Sequence, residues 1–181
     1  MRYNIIIGID PDIDKNGVAY LMPSSRKIET YKYTLSELVD AIIKTRDTCK
    51  LTNETMCVIV EGGFTIKTNW HLDNLMRSNN LSMASRLRLA ASIGRSQGEN
   101  AQRGRDIFEL VKSLHVPCFV QKPYVHDWGK DHRSKISKAE LDYVVGYKMK
   151  RNNQEERDAA LIAWLGANFP LRRSANVLKG L

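Results

Sequence analysis

The chain begins with an apolar run, Ile5-Ile6-Ile7-Gly8-Ile9, that ends at Asp10, and a second run, Cys57-Val58-Ile59-Val60, ends at Glu61. Continuous apolar runs of this length read as strands buried on both faces of a covered sheet. After Asp10, the polar turn Asp12-Ile13-Asp14-Lys15-Asn16-Gly17 leads to a strand over Val18–Met22. An alternating stretch, Lys27–Tyr33, makes a third strand, so the first three form an antiparallel meander. Thr34-Leu35-Ser36-Glu37 is a capping box, and Leu35, Leu38, Val39, Ile42 and Ile43 give the helix behind it one apolar face. A helix between the meander and the strand at 57–61 is a crossover, which lets the two acid-bearing strands lie side by side. The fold class that follows is α/β.

Beyond Glu61, residues 62–81 carry Gly, Asn and Ser around Phe64 and Trp70 and read as a loop over the sheet edge. Ser82 to about Leu114 is helical, with Gly94, Gly98 and Gly104 marking close backbone packing or a break near Gly98. A short strand at Val116–Val120 stops before Pro123, and residues 124–136 form a basic loop in which Tyr124 and Trp128 are anchors. Ser137-Lys138-Ala139-Glu140 is a second capping box, opening a helix to about Lys150. The last helix starts near Asn153 and ends by Pro170. There is no internal repeat and no low-complexity linker, so residues 1–181 read as one domain.

Charge changes the picture. The net charge is +8, and residues 86–151 hold 14 Lys/Arg against 7 Asp/Glu, whereas residues 1–85 hold 10 of each. An excess confined to the middle third points to a polyanion-binding face, with a solvated basic surface as the plain alternative. Cys49, Cys57 and Cys118 have no CxxC spacing and read as reduced thiols, Cys57 and Cys118 in strands. No apolar stretch approaches the ~18 residues that span a bilayer, and the N-terminus lacks a signal-peptide pattern. A cytoplasmic protein with no membrane partner is therefore expected. His71, His115, His126 and His132 show no ligand spacing.

An acid directly after a buried strand is costly unless it is paired or holds a metal. Asp10 and Glu61 both stand in that position, and Glu155 and Asp158 are three apart on one face of the last helix. Glu156 suits the role of capping partner to Asn153. Each acid also has an ordinary reading: Asp10 as a turn residue before Pro11, Glu61 as a solvated strand end, and the helical pair as a complement to the helix dipole.

In combination, Ile7-Gly8-Ile9-Asp10-Pro11 with Gly17, Val60-Glu61, Ile93-Gly94-Arg95-Ser96-Gln97-Gly98 and Glu155-x-x-Asp158-Ala159-Ala160-Leu161 resemble RuvC-type Holliday junction resolvases of the RNase H-like superfamily. The resemblance runs over residues 4–168. Two positions depart from the family pattern: Asp12 replaces a usual Gly, and Glu155 stands where Asp is more usual. The resemblance implies a mixed five-stranded sheet flanked by helices and a homodimer acting on branched DNA, the four-way junction. It places Asp10, Glu61, Glu155 and Asp158 at four catalytic, metal-binding positions. Oxygen-only ligands suit Mg2+, with Mn2+ as substitute, and two ions ~4 Å apart could serve phosphodiester hydrolysis. Paired symmetric nicks leaving 5′-phosphate and 3′-hydroxyl ends are implied as well.

Lys122, Lys130, Arg133, Lys135 and Lys138 are the candidate phosphate contacts, the last two beside a capped helix start. Arg86, Arg88 and Arg95 line the long helix, and Arg95 also suits a dimer interface. Phe64 and Trp70 could stack on unpaired bases, core packing being the alternative for Trp70. Other readings are an RNase H-like nuclease for other branched or flapped DNA and a non-catalytic DNA-binding module. An actin-like ATPase, suggested only by Gly8-Ile9-Asp10, needs two such domains.

Overall fold

In the computed structural model, residues 3–65, 81–123 and 135–171 are described. Five strands form one mixed sheet: β1 (Ile5–Asp10), β2 (Asn16–Met22), β3 (Lys27–Tyr33), β4 (Met56–Glu61) and β5 (Cys118–Gln121), in the order β3-β2-β1-β4-β5. β1 and β2 pair antiparallel, as do β2 and β3, giving the expected meander. β4 is parallel to β1 and β5 is parallel to β4. Ile9 lies opposite Val60, so the acids that follow, Asp10 and Glu61, leave the ends of neighbouring strands on the same side of the sheet. This is the α/β class, a mixed five-stranded sheet flanked by helices, expected from the sequence.

Local rules set the helices. Helix α1 (Leu35–Thr52) starts at the Thr34 capping box, where the Thr34 amide donates to Glu37 at 2.8 Å and the Glu37 amide to the Thr34 hydroxyl at 3.3 Å. It ends at Asn53, in the left-handed region with φ 55°. Helix α2 (Met83–Ser113) is unbroken through Gly94 and Gly98, contrary to the break considered from the glycine spacing. Neither glycine has anything within contact distance of an added Cβ, so among the described residues neither serves close packing within the fold. The expected third helix is shorter than its pattern suggested: α3 spans Lys138–Val145 and is stopped by Gly146 at φ 86°, a conformation suited to glycine. Helix α4 (Gln154–Gly166) opens at the Asn153–Glu156 capping box, which confirms Glu156 as a capping residue.

Two apolar layers cover the sheet. On one face Ile7, Ile9, Val18, Val58 and Val60 pack with Leu38 and Ile42 of α1 and Ile107 and Val111 of α2. On the other, Ile6, Ala19, Leu21 and Ile59 meet Leu141 and Val144 of α3 and Ala159 to Trp164 of α4. Cys57 and Cys118 are strand residues, as expected, and burial pushes both thiols up to about 12. No helix among the described residues is long and apolar enough to cross a membrane.

Helix α4 reaches the sheet at backbone distance. A Cβ on Gly8 would strike the Ala159 carbonyl and lie 2.7 Å from the Ala163 amide, and one on Gly17 would strike the Glu155 backbone. These two glycines let the helix settle directly onto β1 and β2. Gly8→Ala is expected to destabilise the fold by about 1–3 kcal/mol, the usual cost of overpacking a core. Gly98→Ala, on an open helix surface, is expected to stabilise by about 0.5–1 kcal/mol. Urea denaturation of both variants checks the contrast.

Candidate active site

Asp10 and Glu61 come to the site from the ends of β1 and β4, and Glu155 and Asp158 from the first turns of α4. Because α4 lies against Gly8 and Gly17, its opening turn stands at the strand ends rather than out in solvent. The turn after Asp10 is fixed in the same region. Buried Asn16 accepts from the Asp12 amide at 3.2 Å and donates to the Tyr33 carbonyl at 3.1 Å, and Asp12 accepts from the Asp14 amide at 3.0 Å. Asp12 and Asp14 are thus turn residues, as read from the sequence. Arg103 of α2 holds the Ile13 carbonyl at 3.1 Å.

The acids act on one another. Burial raises the Asp10 carboxyl well above the ordinary aspartate range; Glu61 and then Asp158 raise it further, Lys135 opposes them, and Glu155 adds a smaller push upward. Glu61 is raised as well, first by burial and then by the charge of Asp158, again against Lys135. Mutual repulsion of this kind requires the four acids to share one region of the molecule.

Lys135 is the counter-charge. Its Nζ donates to Asp158 Oδ2 at 2.8 Å. The stem is half-exposed while Asp158 is only 12% exposed, so the ammonium reaches inward to the acids. Burial works against the charged lysine, but the hydrogen bond and charge of Asp158, then Asp10 and Glu61, outweigh it and hold its pKa above the ordinary lysine value. The other Asp158 oxygen accepts from Gln154 Nε2 at 2.8 Å. Glu155 faces a different cation, Lys32 of β3, at 3.5 Å.

Gln154 and Arg157 are site residues that the sequence reading passed over. Arg157 donates to the Ile136 carbonyl at 3.0 Å, the Asn152 carbonyl at 3.0 Å and Gln154 Oε1 at 2.8 Å. It thereby ties the segment carrying Lys135 to α4 and aims Gln154 at Asp158. Their signal lay in the spacing: Gln154 is one turn before Asp158, an i,i+4 pair.

The remaining candidates fall in different places. Lys138 pairs with Asp142 at 2.7 Å within its own helix. Lys122 is exposed just past β5. Phe64, in a short 3-10 turn at Gly63–Thr65, packs 6.3 Å from the Phe108 ring, with the Arg105 guanidinium 5.8 Å from its own ring. Lys130, Arg133, Trp70, Tyr124, Trp128, His71, His126 and His132 lie outside the described residues.

Among the described residues, no three His, Cys, Asp or Glu side chains converge as a metal-holding group. The ion pairs give a physical reason. Lys135 draws Asp158 and Lys32 draws Glu155, so each acid of α4 is engaged by an ammonium. The donor chemistry nevertheless suits a hard divalent ion: carboxylate oxygens only, with Asp10 and Glu61 pushed toward the neutral form without one.

No protein-family model matches the chain, and no curated protein matches it in sequence. Among solved structures, it is similar to Thermus thermophilus RuvC ("T. thermophilus RuvC in complex with Holliday junction substrate"), at TM-score 0.40 and 16% identity, over 88% of this chain and 89% of that one.

The raised carboxyls make stability depend on pH. With folded values above unfolded ones, the native protein keeps protons that the unfolded chain releases. The stability contributed by this effect is full below the unfolded carboxylate values and is lost as pH rises through the raised folded values. Asp10→Asn removes the most strongly raised group. In EDTA at neutral pH it is expected to raise Tm by about 2–4 °C, the shift that about 1 kcal/mol makes in a chain of this size. It should also flatten the fall in Tm above pH 4. Scanning calorimetry across pH checks both.

Proposed function

We propose that the chain is a divalent-metal-dependent endodeoxyribonuclease that resolves four-way DNA junctions by paired, symmetric nicks. The observation that carries the reading is the placement of Asp10 and Glu61 at the ends of adjacent parallel strands, with the opening turn of α4, which bears Glu155 and Asp158, docked beside them. The residue pattern that resembles RuvC-type resolvases adds the choice of substrate.

Asp10, Glu61, Glu155 and Asp158 would hold Mg2+ or Mn2+, as one ion or two. When bound, such an ion supplies Lewis acidity and a water of lowered pKa for attack on a phosphodiester. The chain's own residues do the rest. Asp10 pairs with Gly17 of β2 and Glu61 with Gln121 of β5, and the residues just before them, Ile9 and Val60, pair with each other, so the strand ends that carry the two acids are fixed. Gln154 orients Asp158 through the oxygen that Lys135 does not take. Lys135 is long, half-exposed and directed at the acids, and its ammonium would be within reach of a phosphate brought to them. Lys32 stands in the same relation to Glu155.

A junction has two-fold symmetry, so symmetric cutting needs two such sites, and the proposal includes a homodimer. The basic excess in residues 86–151 supplies the charge for binding a polyanion.

Cleavage of a four-way junction in Mg2+, set beside duplex, flap and RNA–DNA hybrid, is the direct test. Paired nicks in the junction alone are expected. Nicking of flaps with equal rate would make the protein a nuclease for branched DNA in general, and no metal-dependent nicking of any substrate would leave a DNA-binding module. Asp10→Asn is expected to lose at least 100-fold in cutting rate, the order contributed by a positioned catalytic group, while junction binding persists. Lys135→Glu should weaken junction binding more than Lys138→Glu, because Lys135 reaches to the acids of the proposed site whereas Lys138 pairs with Asp142 within its own helix; gel-shift titrations compare the two.

A further inference from the structure

The open edge of the sheet carries a second cationic feature, away from the acids. Strand β3 is the terminal strand, and the segment between α3 and α4 runs beside it. Together they form a groove of about 450 Å3, lined among others by Lys27, Tyr31, Tyr147, Lys148, Lys150 and Arg151.

The groove is built rather than loose. The Ile28 amide, which would otherwise face solvent at the sheet edge, donates to the Tyr147 hydroxyl at 2.7 Å. The Met149 amide donates to Asp142 at 2.9 Å and the Met149 side chain is buried. With Met149 turned inward, Lys148 and Lys150 on either side of it are exposed. The segment is therefore pinned along the strand with its cations facing out.

Charge in the groove is only partly offset, since the charge of Lys150 also acts on Glu29. The acid in its wall, Glu29, is already taken by Lys27 at 2.8 Å and by the Tyr31 hydroxyl at 3.1 Å. Lys148, Lys150 and Arg151 make no ion pair among the described residues. Tyr31 and Tyr147 remain 39% and 37% exposed, offering apolar faces and hydroxyls beside those cations.

Position connects this groove to the acids. Thr30 and Tyr31 line it, and the next residue, Lys32, pairs with Glu155 at 3.5 Å. From Lys32 to Lys27 the strand covers ~17 Å at ~3.3 Å per residue. At ~3.4 Å per base pair that is roughly five base pairs of a duplex arm.

We propose that this groove binds the phosphate backbone of a DNA arm extending from the acidic site, a contact made by Lys148, Lys150 and Arg151. The choice of DNA as ligand rests on the nuclease reading above. The groove's own evidence is three exposed cations, in no ion pair among the described residues, on a pinned segment beside a strand that leads to Glu155. Contacts of this kind are to the backbone, so they position the arm and do not read its sequence.

The test is salt-dependent binding of a fluorescent four-way junction in EDTA, which prevents cutting. The triple variant Lys148→Gln, Lys150→Gln, Arg151→Gln is compared with the parent. A control triple, Lys44→Gln, Lys50→Gln, Lys112→Gln, removes the same charge from α1 and α2. Each backbone contact contributes about 0.9 to the slope of log K against log salt. The groove triple is expected to lower the slope by about two to three and the control to leave it within about one. Equal slopes for parent and groove triple would overturn the groove while leaving the nuclease reading in place. Equal loss in both triples would also overturn it, because the effect would then be one of total charge. A parent that binds no DNA would sink the functional reading and the groove together. Circular dichroism melting of each variant shows that the fold is retained.

Discussion

The constraint on which the structure depends is the backbone contact of α4 with β1 and β2. Side chains at positions 8 and 17 would hold the helix off, and only glycine leaves room for the Ala159 and Glu155 backbones. The helix is buried along Ala159 to Trp164, so its docking belongs to the core and not to the site. Its opening turn nevertheless comes to the strand ends as a consequence. Packing thus assembles the acids, at a cost that the hydrogen bonds of Lys135 and Gln154 to Asp158 offset in part.

That cost is visible in how the acids are held. Asp10 and Glu61 are pushed toward their neutral forms, while the Lys135 ammonium is held charged by the same neighbours. Lys135 and Lys32 each take one acid of α4, and among the described residues the arrangement is two ion pairs beside Asp10 and Glu61 rather than a set of convergent ligands. A divalent cation would relieve more repulsion than one ammonium, because it carries twice the charge at shorter range. Asp10, Glu61, Glu155 and Asp158 would be the residues to hold such an ion, and Lys135 would remain a positive charge near them.

The strands and the acids at their ends were legible in the sequence because both signals are local: an apolar run stopped by a carboxylate, and period-two alternation at Lys27–Tyr33. The capping boxes at Thr34, Ser137 and Asn153 were equally legible, and the last of them separated Glu156 from Glu155. Tertiary facts were not. Gly94 and Gly98 share their spacing with packing glycines, yet the helix surface they occupy is open. Gly8 and Gly17, which do admit a neighbouring backbone, lie in a strand and at its partner's start, where sequence alone gives no helix to meet them. Gln154 and Arg157 were missed because their partners, Asp158 and the Ile136 and Asn152 carbonyls, come together only after α4 has docked. Lys138, a candidate phosphate contact from its place at a helix start, also has an i,i+4 partner in Asp142 that its spacing alone makes legible.

The central claim is that Asp10, Glu61, Glu155 and Asp158 form one divalent-cation site. Mn2+ titration followed by electron paramagnetic resonance, on DNA-free protein, tests it without reference to any activity. Bound Mn2+ is expected in the parent and loss of it in both Asp10→Asn and Asp158→Asn, one acid from the sheet and one from the helix. Binding that survives both substitutions, or no binding in the parent, would contradict the account.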